Sequence, residues 1–474
     1  MNQWNREILR LAVPSIVTNV TIPLLGLVDL AIVGHIGNET MIGAIAVGSM
    51  IFNVMYWLMG FLRMGTSGMA AQEYGAQQNG AAVPIPFRSG VGGRALRLAL
   101  MIAVGMLFLQ VPLRWLSLWL MGPSAEVAVL VRAYFNICIW GAPAMLSLYV
   151  MTGWFIGMQD TRTPMVVSIT QNIINIVASL VLVFGFKMQI EGVALGTLIA
   201  QWSGAVMAWR KANPRRPTPL SPEGRTSPDP SEGGEGLADR NSSTSKQISG
   251  RPSPPSEGSG EVLPSEGGGS SSSPFFHANL DLFLRTICLV AVNLFFTSAG
   301  ARQGDMLLSV NTLLMTFFTL FSYVMDGFAN AGEALCGKYD GSTSPQSLQA
   351  VIRHLFRWGW LMVVLFTVVY ALGGRGFLGL LTDEASVVDA AMEYLPWALL
   401  IPVAGMAAFV YDGIFIGLLK TRGMLVASAI AMVVFFGLYF ALFPVWGNHA
   451  LWLALIVYLA LRGLVQHLYL VESF

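Results

Sequence analysis

The sequence predicts an all-α integral membrane protein of twelve transmembrane helices, arranged as two parallel six-helix repeats. Three observations predict it. The first is composition: 54% of the 474 residues are hydrophobic and 11% are charged, where a soluble domain carries about 25% charged residues. Mean hydropathy is +0.62. The second is that apolar windows of about 20 residues, the length that crosses a hydrocarbon layer, recur along the chain. The third is a repeated phrase. Residues 153–162 read Gly-Trp-Phe-Ile-Gly-Met-Gln-Asp-Thr-Arg and residues 413–422 read Gly-Ile-Phe-Ile-Gly-Leu-Leu-Lys-Thr-Arg. Repeats of this kind place a substrate path between two similar bundles.

The first repeat contains spans near 8–34, 42–71, 95–120, 128–157, 164–186 and 190–209. The second contains spans near 279–301, 306–335, 351–378, 387–417, 424–443 and 449–471. The first stretch begins near Ile8 and runs too long for the apolar core of a signal peptide. Pro14 and Pro23 interrupt it, each removing a backbone hydrogen bond and permitting a bend. Turns follow at Gly34 to Asn38, Lys187 to Gly192 and Pro444 to Asn448. Tyr74 after span two aligns with Tyr339 after span eight, which extends the repeat. An even number of spans per repeat gives both halves the same orientation, about an axis along the membrane normal.

Residues 211–277 are rich in Pro, Gly, Ser and Glu. They bury too little apolar surface to offset their ordering entropy and read as a disordered cytoplasmic linker. The expected organisation is an amino-terminal lobe at 1–210, the linker, and a carboxy-terminal lobe at 278–474.

Net charge is +1, which gives no reason to expect nucleic-acid binding. Arg6, Arg10, Arg88, Arg97, Arg162, Arg210, Lys338, Arg357, Lys420 and Arg462 fall on the side of the termini. Arg114, Arg132, Lys187, Arg302 and Arg375 fall on the other, beside Asp383, Glu384, Asp389 and Glu393. The positive-inside rule then makes both termini cytoplasmic, in the inner (plasma) membrane. Cys138, Cys288 and Cys336 lie in apolar segments and read as small buried hydrophobes. The five histidines, His35, His277, His354, His449 and His467, are scattered at helix ends or in the linker. Neither a metal motif nor a Gly-x-x-x-x-Gly-Lys phosphate loop is present, so a membrane-embedded enzyme, a metal site, a cofactor and ATP drive are not expected.

Ionisable groups inside a span cost at least about 2.5–3.5 kcal/mol on insertion scales, so each needs a reason. Asp29, Arg63, Asp326, Glu333 and Asp412 are such groups. Asp326 and Glu333 are seven residues apart and share a helical face. Arg63 is expected to neutralise an acid. Glu333, nearer the cytoplasmic end, is expected to snorkel or pair with Lys338. Span five adds Gln171, Asn172 and Asn175, and span six adds Thr197 and Gln201. Such amides also act as glue between helices. The acids outnumber the central bases, and a carboxyl in low dielectric can exchange a proton near neutral pH. A proton-coupled carrier needs such a group.

The run Leu27-Val28-Asp29 with Val33-Gly34-His35-Ile36-Gly37 resembles the first helix of the multidrug and toxin extrusion (MATE) transporters. Asp326-Gly327-Phe328-Ala329, Asp412-Gly413-Ile414-Phe415-Ile416-Gly417 and Ile190-Glu191-Gly192-Val193-Ala194-Leu195-Gly196-Thr197 resemble its DinF-type branch. The resemblance covers all the spans and excludes the linker. It implies a V-shaped pair of six-helix lobes around a cleft. It also implies export of amphipathic, often cationic compounds in exchange for protons or sodium ions. In the amino-terminal lobe it assigns the ion site to the first-helix acid, matched by Asp29, to an Asn matched by Asn175, and to a threonine matched by Thr197. The family's span-five Asp is replaced by Ser179. One carboxylate among neutral oxygens holds sodium less well than two, which favours protons as the coupling ion. Asp326, Asp412 and Glu333 then form a second-lobe polar site for ions or gating.

The runner-up reading is a flippase for lipid-linked precursors, which needs interior bases for a diphosphate head group. Arg63 reads as the one base well inside a span, which argues against it. The expected partners are small amphipathic substrates and membrane lipids, with the chain acting as a monomer.

Overall fold

The computed structural model describes residues 2–34, 39–80, 86–213, 272–382 and 384–472, with the side chains of 22–34, 39 and 272–274 outside the description. The first half opens with α1 (Gln3–Gly34), α2 (Glu39–Leu58) and α3 (Phe61–Gln78). A turn at Met59 and Gly60 separates α2 from α3 within one apolar segment, 40–78. Next come α4 (Val91–Phe108) and the short α5 (Gln110–Met121), which ends on the left-handed Gly122. Ser124 caps α6 (Ala125–Cys138) by accepting a bond from the Val127 amide. A 3-10 turn, Ile139–Gly141, joins α6 to α7 (Ala142–Gly157). Pro143 fits in the first turn of α7, where no amide donor is required. Then follow α8 (Arg162–Leu180), ending in a π turn at Val181–Gly185, and α9 (Ile190–Ala212). The second half is plainer: α10 (Ser272–Ala301), α11 (Asp305–Gly341), α12 (Pro345–Leu381), α13 (Ala385–Gly417), α14 (Thr421–Trp446) and α15 (Asn448–Val471).

Among the described residues, eleven segments are long and apolar enough to cross a bilayer, and α1 adds a further 32-residue helix. Large apolar side chains cover the outer surface, including Phe108, Leu372 and Leu380 at 83–86% exposure. Lipid tails are as apolar as these side chains, so exposing them there carries no penalty, and packing between helices falls to small residues and polar bonds. Asn311 and Asn448, both buried, exchange side-chain bonds of 2.8 and 2.9 Å between α11 and α15.

Several expectations change. α1 runs unbroken through Pro14, so this proline does not interrupt the helix; the carbonyl of Pro14 accepts the Thr18 hydroxyl at 2.9 Å. Its ring removes the amide bond to the Arg10 carbonyl, and the Thr161 hydroxyl, from the turn before α8, donates to that carbonyl at 3.5 Å instead. The side chains of Pro23 and Asp29 lie outside the described residues. The span expected at 95–120 divides at Leu109 into α4 and α5. α9 continues to Ala212 and α10 starts at Ser272, inside the expected linker borders; residues 214–271 lie outside the described residues.

The repeated phrase has a structural meaning. Gly153 lies so close to α3 that an added methyl would overlap the Arg63 carbonyl, and Gly413 stands in the same relation to Ala329 on α11. Gly157 abuts Ser67, Ala70 and Ala71; Gly417 abuts Glu333, Cys336 and Gly337. Each phrase is therefore the face on which α7 or α13 meets its neighbour backbone to backbone. After each phrase the chain turns on a left-handed non-glycine residue, Gln159 (φ 64°) and Leu419 (φ 55°). These contacts also correct the repeat register. Ser67 is the counterpart of Glu333, and the same alignment pairs Tyr74 with Asp340 rather than with Tyr339. A chance tyrosine match had shifted the alignment by one residue.

The halves meet chiefly through α1, α3 and α11. Among the described residues, the bonds between them gather towards the end that carries the termini. The Tyr339 hydroxyl donates to Glu7 at 2.9 Å, Gln72 donates to Asp340 at 2.9 Å, and Gln159 donates to the Ala334 carbonyl at 2.7 Å.

Candidate functional site

In the first half, α8 turns a polar face towards α1 and α9. Asn172 donates to the Thr21 carbonyl of α1 at 3.0 Å. One turn further on, Asn175 is fully buried and donates to the Thr197 hydroxyl of α9 at 3.0 Å. Thr197 in turn donates to the Val193 carbonyl at 3.1 Å. Ser179, one more turn along α8, is also fully buried, because Gly196 lets α9 come against its hydroxyl. The structure thus gathers Asn175, Ser179 and Thr197 at one point. Among the described residues, the Asn175 side-chain oxygen and the Ser179 hydroxyl have no hydrogen-bond partner. Orphaned buried oxygens are uncommon and call for an explanation. What this trio offers is acceptor capacity, suited to a proton-bearing or cationic group. The Asp29 side chain, the fourth member expected here, lies outside the described residues.

The second half differs from expectation. Asp412 is buried and accepts three donors: Arg285 of α10, Arg462 of α15 at 2.6 Å and Gln466 of α15 at 2.7 Å. It is therefore not an unpaired acid. Two guanidiniums against one carboxylate leave a positive excess, and half-buried Asp326 lies within range of their charge. Asp326 makes no hydrogen bond or ion pair among the described residues. Arg462 also stacks on the Tyr458 ring, 5.6 Å from its centroid.

Sequence reasoning missed Arg285 and misplaced Arg462. Arg285 lies inside the predicted seventh span, and its position should have flagged it. Arg462 was grouped with the bases of the terminus side because it falls in the last part of a span, yet it is 4% exposed and faces inward. Arg63, Arg285 and Arg462 now stand against Asp29, Asp326, Glu333 and Asp412, so the excess of acids over central bases shrinks to a single group.

Glu333 is corrected too. It neither snorkels nor pairs with Lys338, which lies 3.9 Å from Glu7 instead. Glu333 is 1% exposed and faces α3, where the Ser67 hydroxyl donates to it at 2.5 Å and Arg63 approaches at 3.4 Å. Arg63 also donates to Asn330 at 2.9 Å. Arg63 does neutralise an acid, as its burial demanded.

Arg63 is thus not the one interior base, and that argument against a flippase fails. A different one replaces it. Arg285 and Arg462 are committed to Asp412, and Arg63 to Glu333 and Asn330. Among the described residues, no base inside the spans is left over for a diphosphate.

Comparison with known proteins agrees with this architecture. The MatE family model matches residues 14–181 and 282–440, one stretch in each half. DNA damage-inducible protein F of Escherichia coli (strain K12) is 33% identical over 464 residues, covering 97% of this chain and 90% of that protein. Protein DETOXIFICATION 45, chloroplastic, of Arabidopsis thaliana is 21% identical over 430 residues, covering 87% and 69%. The probable multidrug resistance protein NorM of Thermotoga maritima is 25% identical over 205 residues, 42% of each chain. Among solved structures, a MATE in the bent conformation superposes with a TM-score of 0.79 at 16% identity, covering 99% of this chain and 95% of that one. The outward-facing conformation of a multidrug resistance MATE family transporter of the MOP superfamily gives the same score, identity and coverage. With its two matched halves and its full-length relative, the chain belongs to the MatE family of multidrug and toxin extrusion transporters.

Proposed function

We propose that the chain is a secondary antiporter that exports amphipathic, often cationic compounds in exchange for protons. The observation that carries this reading is the pair of buried oxygens on Asn175 and Ser179, beside Thr197, that have no partner among the described residues. The family resemblance adds Asp29 of α1 to this set, one carboxylate beside neutral oxygens. Such a set suits a carboxyl that alternates between holding a proton and accepting hydrogen bonds. It is a poor cage for sodium, which needs more charged oxygen. Asp326 of the second half supplies a second acid, close enough to Arg63, Asp412 and Arg285 to feel their charges. Both termini are cytoplasmic on this reading, in an inner membrane, with lipid as the only other partner of a monomeric carrier.

The test is efflux of a cationic dye from proteoliposomes under a proton gradient or a sodium gradient, each imposed separately. Efflux driven by the proton gradient alone is expected. Efflux driven by sodium alone overturns the coupling assignment, and efflux that survives collapse of both gradients overturns the antiporter.

A further inference from the structure

The seam between α3 and α11 is self-complementary. Gly75 of α3 lies against the Lys338 carbonyl, and Gly341 of α11 lies against the Gln72 carbonyl. Those four residues are two pairs of counterparts in the repeat. The turn residues behave likewise: Gln159 reaches Ala334 on α11, and Leu419 reaches Gly68 on α3. Counterparts also face each other directly, Ala71 against Gly337 and Ser67 against Glu333. The repeat axis therefore passes through this seam. Here the helices close backbone to backbone, and side chains at Gly75 or Gly341 have no room.

One feature breaks the symmetry. Glu333 stands where its counterpart is Ser67, and Arg63 stands where its counterpart is Ala329. The two buried carboxylates of the second half are consequently held in opposite ways. Asp412 takes all its donors, Arg285, Arg462 and Gln466, from its own half, so it travels as part of a rigid unit. Glu333 takes its donors, Ser67 and Arg63, from the other half. Parting the halves leaves Asp412 untouched and strips Glu333 of every donor named here. An uncompensated buried charge is costly, so the open seam must admit water or a cation to Glu333.

We propose that Arg63 and Glu333 are the lock of a gate at the end carrying the termini, and that each transport cycle breaks and remakes this pair. This rests on the reading of the chain as a carrier that exposes its cleft to the two faces in turn. The rim bonds from Tyr339 to Glu7 and from Gln72 to Asp340 are more exposed and weaker against water. The lock therefore sets how firmly the seam stays shut, while the glycines set whether it can shut. Arg63 and Glu333 are positioning residues: they hold a conformation and do not touch substrate.

The experiment is a distance measurement by electron paramagnetic resonance, in lipid nanodiscs and without substrate. Nitroxide labels go on Gln78→Cys and Gln346→Cys, exposed positions near the ends of α3 and α12 on opposite sides of the seam. The three native cysteines are buried. The background protein should show one short-distance population. Glu333→Gln should lower the ratio of short to long distances by about tenfold, the worth of one charge-assisted bond. Gly75→Ala and Gly341→Ala should shift it equally, because their contacts are reciprocal. The exchanged pair, Arg63→Glu with Glu333→Arg, should restore much of the short population. Asp412→Asn should leave the distances in place. Unchanged distances in Glu333→Gln and both glycine variants overturn the gate. A shift in Asp412→Asn as large as in Glu333→Gln overturns the lock. Should Glu333→Gln fail to fold, the glycine pair still decides. Because no substrate is present, a seam that responds in a protein without efflux leaves the lock standing and removes the antiporter reading alone.

Discussion

Replacing Asp412 by Asn tests whether the second-half cluster is structural or carries ions. The side chain keeps its volume and loses its charge. Two buried guanidiniums, Arg285 and Arg462, then face one neutral carbonyl oxygen, and an amide group points at a donor. Removing one partner of a buried ion pair costs about 3–5 kcal/mol. Here one carboxylate answers two cations and the Gln466 amide, so the upper part of that range is expected. The variant should therefore unfold at clearly lower temperature in a thermal melt of the purified protein in detergent. A second change, Arg462→Met, should cost much less in the Asn background than in the parent, since the charge it removes is already uncompensated. A coupling of about 1–3 kcal/mol is expected for contacting residues. Efflux measured well below the melt should persist. A stable Asp412→Asn protein that has lost gradient-driven efflux would refute this reasoning and return Asp412 to ion coupling.

Asp29→Asn should leave membrane insertion and folding intact and abolish efflux driven by a proton gradient, measured with a dye in everted vesicles. Ser179→Ala should be nearly neutral in the same melt, or stabilising by up to about 1 kcal/mol, because it removes a buried hydroxyl that has no partner among the described residues; a loss above about 2 kcal/mol would mean that the hydroxyl is satisfied in the membrane. Replacing residues 211–277 with a Gly/Ser segment of equal length should preserve expression and efflux, and a complete loss of transport at normal expression would contradict that.

The fold was legible because the membrane leaves few options. Apolar windows of fixed length give the helices, and the phrase around Gly153 and Gly413 gives the halves. That phrase was readable because backbone contact tolerates only glycine there, so the same residues recur for the same steric reason. Finer features followed no such rule. The division of the third crossing at Leu109 falls just before Pro112, which sits in the first turn of α5 and has no amide to continue α4, a detail that a window of span length passes over. The tyrosine match at 74 and 339 looked like register, yet the contacting glycines set it one residue away. In the sites, Asn175 and Thr197 could be placed together because polar residues at helical spacing must turn inward. Arg285, Arg462 and Glu333 could not be assigned, because a charge near a span end faces lipid, headgroup or interior according to neighbours that lie far away in sequence. Glu333 had a nearby lysine as its obvious partner, while its actual one, Arg63, belongs to the other repeat.

The reciprocal seam also constrains the history of such a chain. Two identical six-helix subunits could pair through it, glycine against carbonyl on both sides, as an isologous dimer does. Glu333 could not then exist, since it would face its own copy across the axis and set two carboxylates against each other. Joining the halves into one polypeptide removes that restriction: one copy can keep the hydroxyl of Ser67 while the other carries an acid. The charged pair is thus a property open to a fused chain and closed to a symmetric ancestor.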